Sequence, residues 1–264
     1  MPQGLPSPLI DTHFHVFPLL AGISGVRYLP NYAATLEQWR GAAEGCGITH
    51  GVLVQPSFLG TDNGWVLKTL RSCSDSLRGV AVVDPRADKK ELDKMHQSGV
   101  RGVRLNLSGR SHQYEDWAFL SETWDAIASL GWHLELHTDT NGLPGVLRRV
   151  PSNIRVVIDH MARPAAAERG DETIQALRAR GQGNVFVKLS APYRLEGVSA
   201  FELVTVLLHE LGPDALLWGS DWPFTNHESK HSYKALFSSL VDSLKGEHLE
   251  KILSVNPREL YFYG

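Results

Sequence analysis

The sequence predicts an α/β fold: a single-domain (β/α)8 TIM barrel with a short C-terminal extension. Three observations carry this. Short β-rich runs alternate with longer stretches of helical spacing, the signature of parallel βα units. Each set has eight members. No compositional break or low-complexity stretch divides the 264 residues. Length at ~150 residues per domain would suggest two domains, but single barrels of roughly 250 residues are common, so residues 1–264 are read as one.

The strand candidates are Leu9–Val16, Gly51–Gln55, Gly79–Val83, Gly102–Leu107, His133–His137, Arg155–Asp159, Val185–Leu189 and Leu216–Trp218. Helical spacing marks Thr35–Cys46, Trp65–Ser72, Lys89–Gln97, Asp116–Leu130, Gly142–Arg149, Asp171–Arg180, Phe201–Leu211 and Tyr233–Leu244, several opened by Asp, Thr or Asn as N-caps. An open doubly wound sheet is the alternative, but no GxGxxG follows the first strand. The tail Glu247–Tyr263 holds one more short helix and the run NPRELYFY, whose aromatics should pack under or across the barrel.

Composition excludes several classes. The balance of 26 basic and 29 acidic groups, with no long run of one sign, gives no footprint for nucleic acid or anionic lipid. Cys46 and Cys73 lie in neither a CxxC nor a finger spacing and read as thiols of a reducing compartment. The start, MPQGLPSPLI, has no signal-like apolar run, and nothing later approaches the ~18 apolar residues of a membrane span. A cytoplasmic protein is expected, with no interface signature that would set its oligomeric state.

In such barrels chemistry gathers at the carboxyl ends of the strands. The first strand ends in DTHFHVF, where a period of two sends His13 and His15 to one face, able to share a metal ion. HxH alone is a weak signal. The fifth strand, HLELHTD, puts His137 nearest the rim as a third nitrogen ligand, with His133 and Glu135 deeper or paired. The sixth exits through Asp159–His160. The eighth, ALLWGSDWPF, delivers Asp221 before a proline that stops the strand, and closure would bring it beside His13 and His15.

Three imidazoles and a carboxylate (His13, His15, His137, Asp221) suit one divalent ion, Zn²⁺ foremost, with room for a water whose pKa would fall to about 7. Asp221 and His160 are then the catalytic pair: the carboxylate takes the proton of the attacking water, and the imidazole orients that water or stabilises charge on the substrate oxygen. Arg104 and Asn106 share a parity in GVRLNL, and Tyr193 and Arg194 follow the seventh strand in KLSAPYR. Arginines at the mouth grip carboxylates, though each could equally pair with an acid of the protein itself. Tyr28 and Ser57 would add hydroxyls, and Trp222 an apolar wall.

The whole set, carried by DTHFHVF, YLP, QPSFLGTDN, GVAVVDP, GVRGVRLNL, VVIDHMARP, VKLSAPYR and WGSDWP, resembles the amidohydrolase superfamily, in particular the amidohydrolase-2 branch of pyrone-dicarboxylate and sugar lactonases. The resemblance spans nearly the whole chain. It implies a (β/α)8 barrel, hydrolysis of a small anionic or sugar-like lactone, and carboxylate recognition by Arg104 and Arg194. The pyrone-dicarboxylate lactonases look metal-independent and carry a tyrosine where this chain has His137 and a histidine where it has Phe224. A metal-free site therefore stays open by analogy, and a different substrate is implied. Beside the metal-assisted lactonase stand a metal-independent one, a non-oxidative decarboxylase of a small unsaturated or aromatic acid, and a non-catalytic anion-binding barrel.

Overall fold

A computed structural model describes residues 8–19, 28–109 and 121–263. Among them, eight parallel strands run in sequence order around a barrel: β1 (Leu9–Phe14), β2 (Ile48–Val54), β3 (Leu77–Ala81), β4 (Val100–Asn106), β5 (His133–His137), β6 (Val156–Ile158), β7 (Val185–Leu189) and β8 (Leu216–Trp218). Every predicted strand is present, and the (β/α)8 barrel is the fold.

Five strands differ in their bounds from the expected ones, and for β2 and β1 the physical reason is visible. β2 begins at Ile48 rather than Gly51, because Gly51 is a packing glycine inside the strand: a Cβ there would lie 2.6 Å from the Phe14 ring and 2.8 Å from Trp39. β1 stops at Phe14 rather than Val16 because the chain changes partners. His15 N–H donates to Trp222 O at 2.8 Å, and Phe17 exchanges hydrogen bonds with Ala34.

Helices α1 (Leu36–Glu44), α2 (Gly64–Ser72), α3 (Lys89–Gln97), α4 (Ser121–Ser129), α5 (Leu143–Leu147), α6 (Glu172–Arg180), α7 (Ala200–Leu211) and α8 (Tyr233–Ser243) follow the strands in turn. The start of the fourth predicted helix, at Asp116, lies outside the described residues. Side-chain oxygens of Thr35, Asp88, Asp171, Ser199 and Ser232 accept amide hydrogens at the openings of α1, α3, α6, α7 and α8. Each such cap contributes roughly 1 kcal/mol. The apolar layer between helices and strands includes Leu53, Leu70, Val103, Leu134, Val156, Leu207 and Leu216, all fully buried.

The tail continues as α9 (Gly246–Glu250) and two wide helical turns, Lys251–Val255 and Arg258–Phe262. Leu260 and Tyr261 join Val52, Val54, Val80, Val157 and Leu217 in a cluster inside the barrel. Tyr261 meets the His133 ring edge-on at 5.2 Å. Tyr261 therefore floors the barrel with Phe262 packed against the same cluster, while Tyr263 of the run is 66% exposed, and the opposite end is left for chemistry.

Closure of β8 on β1 sets that end. Asp11 accepts from Ser220 N–H (2.9 Å), Ser220 Oγ (2.7 Å), Trp39 Nε1 (3.0 Å) and the Tyr233 hydroxyl (3.0 Å), tying β1 to the end of β8 and to α1 and α8. Asp221 N–H then donates to His13 O at 2.8 Å. The approach requires a glycine, since a Cβ on Gly219 would sit 2.5 Å from His13 Cβ and 3.0 Å from its amide nitrogen. Gly219→Ala is expected to cost about 1–3 kcal/mol by overpacking. Gly41→Ala, on the exposed face of α1 with open space around it, should stabilise by about 0.5–1 kcal/mol. Urea unfolding of the two variants checks the contrast; equal effects would mean the seam is not tight.

Candidate active site

Three ring nitrogens converge on one carboxylate oxygen. His13 Nε2 and His15 Nε2 each lie 3.6 Å from Asp221 Oδ1, and His160 Nε2 lies 3.9 Å from it. All four side chains are buried or nearly so. The other oxygen of Asp221 is held by the Tyr193 hydroxyl at 2.8 Å and by Arg194 Nε and Nη2 at 3.0 and 2.9 Å. One face of the carboxylate is thus fixed, and the other is turned to the imidazoles.

The second ring nitrogen of each histidine sets what the first can do. His15 Nδ1 lies 2.8 Å from Val54 O, which can only accept, so Nδ1 carries the proton and Nε2 keeps its lone pair. Ser190 Oγ accepts from His160 N–H at 3.2 Å and lies 3.0 Å from His160 Nδ1. Its own proton is available to that nitrogen, which leaves His160 Nε2–H as a donor. His13 Nδ1 lies 3.1 Å from both Asp159 Oδ1 and Lys188 Nζ, and its Nε2 is buried without a hydrogen-bond partner among the described residues.

A divalent cation fits this donor set. Ligand atoms of His13, His15 and Asp221 lie within 4.8 Å of one another, with the lone pair of His15 free and His13 Nε2 orphaned. His13, Asp159 and His160 form a second such group. Its Asp159 is already gripped by Arg104 through Nε and Nη2 at 3.1 and 2.9 Å, which favours the first. His137 belongs to neither group. Its ring stands edge-on to His160 at 4.6 Å, and both of its nitrogens are buried and unpartnered.

Beneath His13 lies a charge cluster of which sequence reasoning named Arg104, Glu135 and Asp159 but missed Lys188. Lys188, fully buried, contacts Glu135 Oε2 directly and lies 3.5 Å from Asp159 Oδ1. Arg104 Nε adds a contact to Glu135 Oε1 at 3.4 Å. Two cations and two carboxylates are thereby enclosed in compensating pairs. The signal was available, for a lysine in VFVKL interrupts an apolar strand at an inward parity. Arg163 was missed as well, because residues 160–163 all take positive φ, an arrangement no side-chain pattern announces.

A cavity of about 510 Å³ opens above these groups. Of the residues expected to contact substrate, Tyr28, Ser57, Arg104, Asn106, Tyr193 and Arg194 line it, as do His137 and Arg163. Trp222 does not: it packs beside Phe17, Ala34 and Phe58, because the chain turns at Pro223. Tyr28 is itself engaged, donating to Glu228 Oε1 at 2.7 Å.

Burial dominates the protonation states. It lowers His13 to about 3 against the opposing pull of Asp159, and takes His137 and His160 well below 6.5. Burial alone would raise Asp221, but Arg194 and His160 outweigh it and hold the carboxyl well below 3.8. Near neutrality His13, His137 and His160 are neutral imidazoles around an ionised Asp221.

The Amidohydrolase family profile matches residues 10–263, and the chain belongs to that family. It is 30% identical to the 2-pyrone-4,6-dicarboxylate hydrolase of Comamonas testosteroni, over 98% of this chain and 91% of the relative. It is 28% identical to the 4-sulfomuconolactone hydrolase of Rhizobium radiobacter, over 85% and 78%. A crystal structure of a probable 2-pyrone-4,6-dicarboxylic acid hydrolase from Acinetobacter baumannii, with citric acid bound, superposes with a TM-score of 0.85 at 32% identity, over 97% of this chain and 99% of that one.

Two outcomes follow from the electrostatics. His137 and His160 are depressed below their unfolded value of 6.5, so their contribution to stability is fully present above pH 6.5. It is lost as pH falls toward the folded values, at about 1.4 kcal/mol per proton per pH unit. Urea unfolding of metal-stripped protein between pH 7 and 5 should show this slope, reduced by one proton in His137→Asn; an unchanged slope would refute the assignment. Lys188→Met should destabilise by about 3–5 kcal/mol by leaving Arg104 alone to compensate the two buried carboxylates. Adding Glu135→Gln should recover part of that loss in the same assay.

Proposed function

We propose that the protein is a lactonase, opening a small lactone that carries an acidic or polyhydroxylated substituent by attack of water on the ring carbonyl. The observation that carries the reading is Asp221. One of its oxygens is saturated by Tyr193 and Arg194, and the other faces three imidazoles at the base of a polar cavity. The named activities of the two curated relatives support it.

Asp221 Oδ1 is the oxygen able to receive the water proton, since Oδ2 is occupied. As the water oxygen bonds to the carbonyl carbon, His160 Nε2–H donates to the oxygen on which charge gathers. The ring C–O bond then breaks, and Asp221 returns the proton to the departing oxygen, giving an acid and a hydroxyl in one product. Tyr193 and Arg194 keep the carboxylate aimed throughout and ionised at the start and end of each turnover. His137, with two unpartnered nitrogens on the cavity wall, faces the substrate in this scheme.

His13, His15 and Asp221 would hold one divalent cation, for which mixed nitrogen and oxygen donors favour Zn²⁺. When bound, it supplies Lewis acidity to the water and to the carbonyl oxygen. Among the described residues no helix is long and apolar enough to cross a membrane.

Purified protein given a lactone panel should release acid, with ¹⁸O from water entering the new carboxylate. Asp221→Asn should lower kcat by about 10²- to 10⁴-fold. Release of CO₂ without label would instead identify a decarboxylase and overturn the reading. Elemental analysis after purification without added metal is expected to give one ion per chain, lost in His15→Ala; full activity without metal would remove the cation from the scheme.

A further inference from the structure

The segment between β8 and α8 carries Asp221 and then turns back over it. Phe224 N–H donates to Asp221 O (2.7 Å), His227 N–H to Phe224 O (2.6 Å) and Lys230 N–H to His227 O (3.0 Å), so the chain advances in linked turns. Glu228 fixes the outer side, accepting at Oε1 from the Tyr28 and Tyr32 hydroxyls at 2.7 Å each and from Asn226 N–H at 3.1 Å. The segment ends at Ser232, whose Oγ accepts from Ala235 N–H at the opening of α8. His231 therefore stands one residue before a helix cap, on backbone held on both sides.

The His231 ring lies face to face with that of Tyr193, with centroids 4.1 Å apart and planes inclined by 18°. His227 leans on the same phenol ring at 4.8 Å and 42°, and the Arg194 guanidinium stands 5.4 Å from its centre. It is the Tyr193 hydroxyl that donates to Asp221 Oδ2 at 2.8 Å. A phenol on a rotatable side chain keeps such an aim only while its ring is held, and a stacked aromatic supplies that restraint. Burial, aided by Lys230, lowers His231 from 6.5, so near neutrality the stacked ring is uncharged and acts as an aromatic face. Arg194, the other holder of Asp221, is restrained separately, through Nη2 to Thr225 O at 3.2 Å. Among the described residues His227 lines the cavity and His231 does not. The two imidazoles are 6.1 Å apart, so the close contact of His231 toward the site is Tyr193.

We propose that His231 is a positioning residue that clamps the Tyr193 ring, so that the phenol holds Asp221 Oδ2 and leaves Oδ1 to the reacting water. The inference rests on the lactonase reading, which makes Asp221 the proton acceptor, and adds the residue that keeps this acceptor aimed. Small misplacement of such a group slows a reaction because the productive geometry is narrow. One segment thus supplies both the carboxylate and the support of its holder.

The test is a double-mutant cycle in hydrolysis of the lactone that the protein turns over. His231→Ala, and His231→Gln, which keeps polarity without the ring, should each lower kcat by about 3- to 10-fold with KM within about twofold. His231→Phe keeps a stacked face and should restore kcat to within about twofold of the native protein. In a Tyr193→Phe background, which has no hydroxyl to aim, His231→Ala should lower kcat by less than about twofold further. An equal loss in both backgrounds, a loss confined to KM, no loss at all, or His231→Phe as slow as His231→Ala would overturn the proposal. A readout independent of turnover is the carboxyl ¹³C resonance of Asp221 in metal-stripped protein, identified by its absence in Asp221→Asn. It should move in His231→Ala in the direction seen in Tyr193→Phe and stay in place in His231→Phe; a resonance unmoved in His231→Ala would rule out the clamp. If no lactone is hydrolysed, the lactonase reading falls, while this resonance still decides whether His231 holds Tyr193 against Asp221.

Discussion

The structure depends on charge compensation in the barrel interior. Lys188 and Arg104 share the buried carboxylates of Glu135 and Asp159, and His13 rests on that cluster through Nδ1. Two cations against two anions leave no net charge to bury, and each group has partners at close range, the condition under which enclosed ions are tolerated. His13 is thereby held from below while its Nε2 is left free above. The imidazole joins a structural charge network to the reacting end of the barrel.

The seam between β1 and β8 turns this support into a site. Asp11 gathers donors from β1, α1, α8 and the end of β8, and Gly219 lets the two backbones approach until Asp221 N–H reaches His13 O. His13 and Asp221 are 208 residues apart in the chain and adjacent in space only because the barrel closes. The second part of the candidate site is reached by strain. His160 through Arg163 occupy left-handed backbone, each at a cost of about 1–2 kcal/mol for a residue with a Cβ. The contacts of Ser190 with His160, and of Thr138 and Glu196 with Arg163, help to offset it.

Much of this was legible in the sequence for reasons of periodicity. Alternating βα patterns located all eight strands, three of them (β5, β7 and β8) with identical ends. A period of two placed His13 with His15, and the order of strands in a closed barrel placed Asp221 beside them. Periodicity reports which face a side chain takes; it does not report depth or distance. For that reason His137, on the right strand and at the right end, could be expected among the ligands, although its ring stands beyond His160 and outside both converging groups. Trp222 likewise looked like a cavity wall until the turn at Pro223 directed it against Phe17 and Phe58.

The sequence by itself determined the barrel and the end of it at which the candidate site lies, because strand alternation and proline or glycine stops are local properties of the chain. Only the tertiary structure decided which charged groups are engaged with one another and which are free to meet a ligand. Arg104, Arg163 and Arg194 are equivalent as letters; what separates them is whether the partnering carboxylate is enclosed or solvated. That difference is a matter of dielectric surroundings, created when distant segments pack together.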